Sequence, residues 1–378
     1  MSETPTASMA TYGFRQFGRG LDLWLLTVVI VLTIVGLGAI FSTSLNIEAG
    51  TYTAFYHQLG FVIVGLAVLF AVARLDYRFL GGVHWVLYAL GIASLLLVVF
   101  FGRTVNGTKG WFEFGGFQLQ PVEFVKIILC IVLAKYFSDH VDNMNSWRLI
   151  FMSGLITGAP VVLVMLQPDA GSALLMMGIW FGLLLALPIP RRRIGMLLLV
   201  AVVAGVASWF LVLRTYQKDR ILNFVSPTRD QSKSGYNVQQ AITAVGSGQW
   251  IGRGLGLGTQ SQLSFLPERQ TDFIFASISE ELGFVGAGAI VALFAIIFWR
   301  MFVLSQRSRD NFSVVLSIGL AMMIFIQVFV NIGMNIGVFP VAGIPLPFIS
   351  YGGSSLLSSM VAIGLAESLA IRQRILPA

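Results

Sequence analysis

Ionisable side chains inside otherwise apolar runs are the residues that could do chemistry here. The stretch "SFLPERQTDFIFASISEELGF" places Glu268, Asp272, Glu280 and Glu281 where the sequence turns apolar, with Asp230 on the loop before them. An ionisable group at a helix centre within a membrane costs about 2.5–3.5 kcal/mol on insertion scales, so each invites a functional reading. A carboxylate at the threshold of a span, as Asp272 is, is partly desolvated. Desolvation raises its pKa and makes it a better proton acceptor near neutrality, unless nearby cations pull the value down. The bland alternative is a helix cap, with Thr271 as competitor. Glu280 and Glu281 point roughly 100° apart on a helix, so at most one shares the face of Asp272. They read as partners of buried donors rather than as catalysts.

Three further clusters could join Asp272. In "QPVEFVKI", Glu123 and Lys126 sit three apart on one helix face and can neutralise each other about one turn below its Pro121 start. A structural ion pair explains them equally well. In "LQPDAGSALL", Asp169 follows Pro168 in a short turn and suits a helix cap. In "NIGMNIGVFPVAGIPLPFISYGGSS", three prolines interrupt an apolar run before Ser354 and Ser355 open the next helix, whose free N–H groups could hold a phosphate. Packing of a kinked hairpin is the dull alternative.

These residues must be positioned by membrane helices. The chain has 378 residues, 56% hydrophobic and 11% charged, with mean hydropathy +0.83. A water-soluble globule does not fit that composition. Runs long enough to cross about 30 Å of hydrocarbon occur near 21–41, 57–73, 83–101, 120–137, 149–166, 170–188, 194–213, 273–299, 312–338 and 350–371. The expectation is an all-α polytopic membrane protein of ten transmembrane helices, with residues 1–20 as a polar tail and 21–378 as one membrane domain. The first run lacks a small-residue cleavage site and reads as a retained span.

An even number of spans puts both termini on one side. With the termini cytoplasmic, fourteen Lys and Arg from Arg15 to Arg374 fall on inner segments, against Arg103 and Lys109 on short outer loops. The long connection of about 214–271, between helices 7 and 8, is then extracytoplasmic. Val238, Ile242 and Val245 recur there at helical spacing, predicting a short amphipathic helix along the interface. The glycines from Gly246 to Gly258 lack the strand and helix of a dinucleotide site. His57, His84 and His140 lack metal-ligand spacing, and the single Cys130 forms no internal disulfide. The net charge of +7 follows membrane orientation and does not point to nucleic acid.

The set "GWFEFGGFQLQPVEFVK", "LQPDAGSALL", "GYNVQQAITAVGSGQWIGRGLGLGTQSQLSFLPERQTDFIFASISEELGFVG" and "NIGMNIGVFPVAGIPLPFISYGGSS" resembles, in order and over nearly the whole chain, the SEDS family (shape, elongation, division and sporulation). "GTQSQLSFLPERQTDF" and "PVAGIPLPFISYGGSS" look more like the elongation-type than the division-type members. The resemblance implies peptidoglycan glycosyltransferase activity on lipid II, outside the bacterial cytoplasmic membrane. It implies that the acid of "TDF", here Asp272, is the catalytic one, and that a class B penicillin-binding protein is a partner. Gln270 stands where many members have His, Val122 where Ser is common, and Ala170 and Ser172 where Leu and Thr are usual.

Joined to that resemblance, the residues suggest an inverting transfer. Asp272 takes the proton of an acceptor hydroxyl, while Lys126 held by Glu123, with Arg269 or Arg220, offsets the departing diphosphate. Asp169, Ser354 and Ser355 complete the candidate substrate-binding set. A divalent cation such as Mg2+ or Mn2+ could share the task, but no ligand spacing demonstrates one. The rival from another class is a transporter or lipid flippase, in which buried charges and broken helices mark a transport path.

Overall fold

The computed structural model describes residues 20–45, 52–105, 107–114, 117–211, 218, 234–263, 265–266 and 268–375. Each of the ten apolar runs carries a helix: α1 (Leu23–Ser44), α2 (Thr53–Arg74), α3 (Tyr77–Phe101), α4 (Pro121–Asp139), α5 (Trp147–Leu166), α6 (Ala170–Ala186), α7 (Arg191–Leu211), α10 (Ile274–Arg307), α11 (Asn311–Asn335) and α12 (Gly353–Ile375). Among the described residues seven of these, α1, α2, α3, α5, α10, α11 and α12, are long and apolar enough to cross a membrane. α6 is apolar but has only 17 residues.

Aspartates set several of the starts. Asp22, Asp76, Asp169 and Asp310 each accept a backbone N–H of the first helical turn, on α1, α3, α6 and α11. The cap at Asp76 explains why α3 begins at Tyr77 rather than near residue 83. At the end of the bundle where α1 begins, Arg300 Nε donates to Asp22 at 2.8 Å, Glu367 accepts the Asp22 N–H and Arg374 donates to the Leu21 carbonyl. That rung ties α1, α10 and α12 together.

α12 is the central post, 89% of its apolar window being buried. Glycine allows its close approach to α2: a Cβ at Gly364 would lie 2.7 Å from the Leu69 carbonyl oxygen.

The structure is mostly helical, as expected, but the all-α expectation left out a small sheet. Between α3 and α4 lies an antiparallel sheet in the order β1 (Arg103–Val105), β2 (Thr108–Phe114), β3 (Phe117–Leu119). Val105 pairs with Thr108 and Phe114 with Phe117, so both connections are two residues long. Asn106-Gly107 and Gly115-Gly116 are the residue pairs that two-residue hairpins favour. Hydropathy windows pass over strands this short.

The connection between α7 and α10 holds α8 (Ser234–Ser247) and the four-residue α9 (Thr259–Gln262). The amphipathic helix is therefore present, but its packing differs from the expected stripe. Val238, Ala241 and Ala244 are buried, whereas Ile242 is exposed. α8 lies on α10, and the small alanines permit that contact. α10 itself is broken at Gly283, whose φ of 67° and ψ of −164° are non-helical. A Cβ there would fall 2.3 Å from the Gly252 nitrogen, so the break requires glycine on both counts.

Candidate active site

Asp272 stands in the turn just before α10, half-buried, and it does not cap the helix. Phe273 is the N-cap and contributes no side-chain bond, while Thr271 turns back to the carbonyl and carboxylate of Glu268. The backbone of Asp272 is held firmly. Asn331 Nδ2 and Asn335 Nδ2, one turn apart on α11, each donate to its carbonyl at 3.0 Å. The carbonyls before it are tied as well: Ser350 Oγ donates to that of Thr271 at 2.7 Å, and the Tyr351 N–H to that of Gln270 at 2.8 Å. Three consecutive residues, Gln270, Thr271 and Asp272, are thereby fixed to α11 and to the 336–352 loop. The Asp272 carboxylate lies along Gly343, 3.8 Å from where a Cβ would stand.

The 336–352 loop is rigid for the same reason. Gln58 of α2 donates to the Ser350 carbonyl and accepts from the Gly352 N–H, and Asn331 also donates to the Ile344 carbonyl at 2.7 Å. Non-helical backbone at the end of a membrane bundle persists where its polar groups are paired inside protein. Gly171 allows the loop to meet the start of α6, since a Cβ there would sit 2.2 Å from the Ala342 oxygen.

Glu123 and Lys126 form the expected pair, 2.8 Å apart, with Ser358 of α12 donating to the second Glu123 oxygen at 3.1 Å. The Lys126 side chain is 1% exposed, so in this state no headgroup touches it. The pair acts electrostatically on Asp169. Burial raises the Asp169 carboxyl above the usual aspartate value, the N–H and hydroxyl of Ser172 oppose that, and Lys126 lowers it while Glu123 raises it. Asp169 is thus both the α6 cap, with Ser172 N–H at 2.9 Å and Oγ at 2.7 Å, and part of a buried charge cluster.

Ser354 is committed to structure, accepting from the Gln120 N–H at 3.0 Å and donating to the Gln118 carbonyl at 3.3 Å, which joins β3 and α4 to α12. Ser355 is half-buried, and α12 uses its carbonyl. Arg269 donates to the carbonyls of Ser261 and Gln262, and burial lowers its pKa. Gln270 donates to Thr43 and Ser44 at the end of α1, both at 3.2 Å. Arg220 and Asp230 lie outside the described residues. Among the described residues no three His, Cys, Asp or Glu side chains gather as a metal site.

Glu280 and Glu281 turn away from Asp272. Glu280 accepts the N–H groups of Gln260 at 2.8 Å and Ser261 at 2.9 Å; Glu281 accepts the Ser42 hydroxyl at 2.7 Å and the Gly256 N–H at 3.2 Å. Their own carbonyls accept from Arg253 and Gly254. The acids serve as anchors for the glycine-rich loop.

With this geometry in place, the comparisons are consistent along the chain. The model of the cell cycle protein family FtsW/RodA/SpoVE matches residues 22–375. The chain belongs to this family. Similar family members include the probable peptidoglycan glycosyltransferase FtsW of Xanthomonas oryzae pv. oryzae, 36% identical over 92% of this chain and 72% of the relative. The peptidoglycan glycosyltransferase MrdB of Escherichia coli K12 is 33% identical over 84% of this chain and 86% of its own length. Among solved structures, a chain from work on the structural coordination of polymerization and crosslinking by a peptidoglycan synthase complex superposes with a TM-score of 0.80. It is 30% identical, over 94% of this chain and 98% of that one. The rod shape determining protein RodA of Thermus thermophilus superposes with a TM-score of 0.68, at 27% identity over 94% and 98% of the two chains.

Two tests separate roles within this SEDS site. Asn331 and Asn335, fully buried, were not singled out by the sequence reading, although their i, i+4 spacing in an apolar helix places both amides on one face. Asn331→Leu should lower turnover roughly 10- to 100-fold, with a much smaller change in KM, because a displaced reacting group costs rate rather than affinity. Steady-state kinetics on monodisperse protein checks this. Asp169→Asn keeps a good cap and removes the charge. Because burial raises this carboxyl, its stabilising contribution is present at low pH and fades as pH rises through the folded value. The Asn variant should therefore match the wild-type melting temperature or exceed it at neutral pH, and the excess should shrink toward pH 4 in paired thermal scans.

Proposed function

We propose that this chain is a peptidoglycan glycosyltransferase that polymerises lipid II into glycan strands at the outer face of the bacterial cytoplasmic membrane, with Asp272 as general base. The observation that carries the reading is the fixing of Asp272 by its backbone to α11 and the 336–352 loop while its carboxylate lies beside Gly343. A base held in this way is preorganised for proton abstraction. Ten helices span the membrane with both termini cytoplasmic, and the α7–α10 connection lies outside.

In the reaction the acceptor hydroxyl gives its proton to Asp272 as its oxygen bonds the donor's anomeric carbon. The bond from that carbon to the diphosphate oxygen breaks, and the lipid diphosphate departs with the electron pair. An α-linked donor giving a β-linked product is one inversion, for which a single base suffices. Positive charge for the leaving group comes from Lys126 acting through the field around Asp169, with Arg220 or Arg269 from the outer loop. Asp169 and Ser355 border the substrate path in this reading, while the buried Glu123 and Ser354 hold Lys126 and the α4–α12 junction behind it. A divalent cation such as Mg2+ or Mn2+ could share that charge, and among the described residues no three His, Cys, Asp or Glu side chains gather to hold one.

The elongation-type role is supported by "GTQSQLSFLPERQTDF" and "PVAGIPLPFISYGGSS". Identities of 33% and 36% to MrdB and FtsW do not separate it from the division-type role. A class B penicillin-binding protein as partner is supported by the likeness to a chain of a synthase complex that couples polymerization and crosslinking. The test is purified protein incubated with fluorescent lipid II, with and without that partner. Glycan strands are the expected product; headgroup crossing without polymer would indicate a flippase, and neither would indicate a scaffold.

A further inference from the structure

The glycine-rich segment 248–257 is built into the break of α10. The first free N–H groups after the break, those of Phe284 and Val285, donate to the carbonyls of Gln249 at 2.8 Å and Trp250 at 3.1 Å. The last carbonyls before it, those of Glu280 and Glu281, accept from Arg253 and Gly254, both at 3.0 Å. The segment thus replaces the hydrogen bonds that α10 loses at Gly283, as irregular backbone at membrane depth must. Its exposed side chains are mostly apolar: Trp250 is 72% and Ile251 82% exposed, Leu255 and Leu257 are exposed too, and Gln249 and Arg253 are the exposed polar ones.

The depth of this surface follows from its neighbours. Trp250 packs edge-on against Phe284, ring centroids 5.3 Å apart, and Phe284 and Val285 are themselves exposed on the continuing apolar helix. At about 1.5 Å per residue, Phe284 stands roughly 24 Å along α10 from Arg300, whose partner Asp22 caps the start of α1. That is less than the ~30 Å of hydrocarbon. Independently, Gly256 lies against Leu45, and Glu281 bonds Ser42, so the segment is level with the last turn of α1. Arg253 is the single charged residue from Gly248 to Gly258, and its guanidinium folds back to the Ser247 carbonyl and the Thr259 hydroxyl.

We infer that segment 248–257 is a membrane-embedded rim, with Trp250, Ile251, Leu255 and Leu257 inserted among the acyl chains of the leaflet on its side. Through Trp250, Phe284 and Val285 the surface continues the exposed apolar side of α10, which favours lipid over a protein partner as its occupant. Aromatic and aliphatic side chains at this depth would hold the outer loop, and the turn that carries Asp272, at a fixed height above the hydrocarbon.

Nitroxide labels at Ile251→Cys and Leu255→Cys in reconstituted full-length protein test this. Val291→Cys on the exposed face of α10 serves as the lipid reference and Gln239→Cys on α8 as the aqueous one. Labels at 251 and 255 should collide with oxygen more than with a water-soluble nickel chelate, as the label at 291 does. A profile like that of residue 239 would overturn the inference, as would shielding from both reagents, which would mean that protein covers the surface. The readout does not depend on activity, so its failure is distinct from failure of the catalytic assignment.

Discussion

Asp272→Asn should leave a folded, monodisperse protein whose rate of glycan polymerisation falls by about 10²–10⁴-fold, the range that a positioned general base contributes. The amide is nearly isosteric and cannot take the hydroxyl proton. The Asp272 carbonyl is held by Asn331 and Asn335, and those two bonds do not depend on the side chain at 272. Loss of product with an unchanged elution profile and melting curve therefore isolates the carboxylate. Near-normal polymer would remove Asp272 from the mechanism and leave the bound backbone as scaffolding for some other group.

Glu280→Ala carries the largest expected effect on stability. Glu280 is fully buried, and its carboxylate satisfies the N–H groups of Gln260 and Ser261, with the Thr259 hydroxyl at 3.4 Å. Each buried donor left without an acceptor costs about 1–3 kcal/mol, so the variant should lose roughly 3–5 kcal/mol. The apparent melting temperature should drop by the order of 10 °C, read as survival of the monodisperse peak after heating in detergent. Glu280→Gln retains one acceptor oxygen of similar shape and should fall between the two. If Glu280→Ala melted like the wild type, the acids of "SEELG" would need another explanation than anchoring the glycine-rich loop.

The positions of the helices were legible because a membrane span must be both long and apolar, and the runs near 21–41 and 149–166 each hold one. The Glu123–Lys126 pair was legible because a three-residue spacing leaves two charges in an apolar helix little else to face. The break at Gly283 was hidden: "ELGFVGAG" continues an apolar run, and only the approach of Gly252 shows why the helix stops there. The partners of Glu280 and Glu281 were hidden because they are mostly backbone N–H groups of a loop some twenty residues earlier, and backbone donors leave no mark on residue type.

The residues that place Asp272 were missed for a related reason. Asn331 and Asn335 are visible as amides in an apolar helix, but their target is a main-chain carbonyl 59 and 63 residues away. Ser350 and Gln58 act on carbonyls likewise. The buried face of α8 was misjudged because Ala241 and Ala244, which make the contact, carry less weight in a hydrophobic pattern than the exposed Ile242.

All of the chemistry requires residue 272 to face the outside of the cell. The sole native thiol, Cys130, is buried, so a cysteine placed at 272 can be labelled selectively. In intact cells made permeable only at the outer surface, a membrane-impermeant maleimide should modify Asp272→Cys, and in inverted vesicles the same reagent should leave it untouched. Modification from the cytosolic side alone would contradict the account.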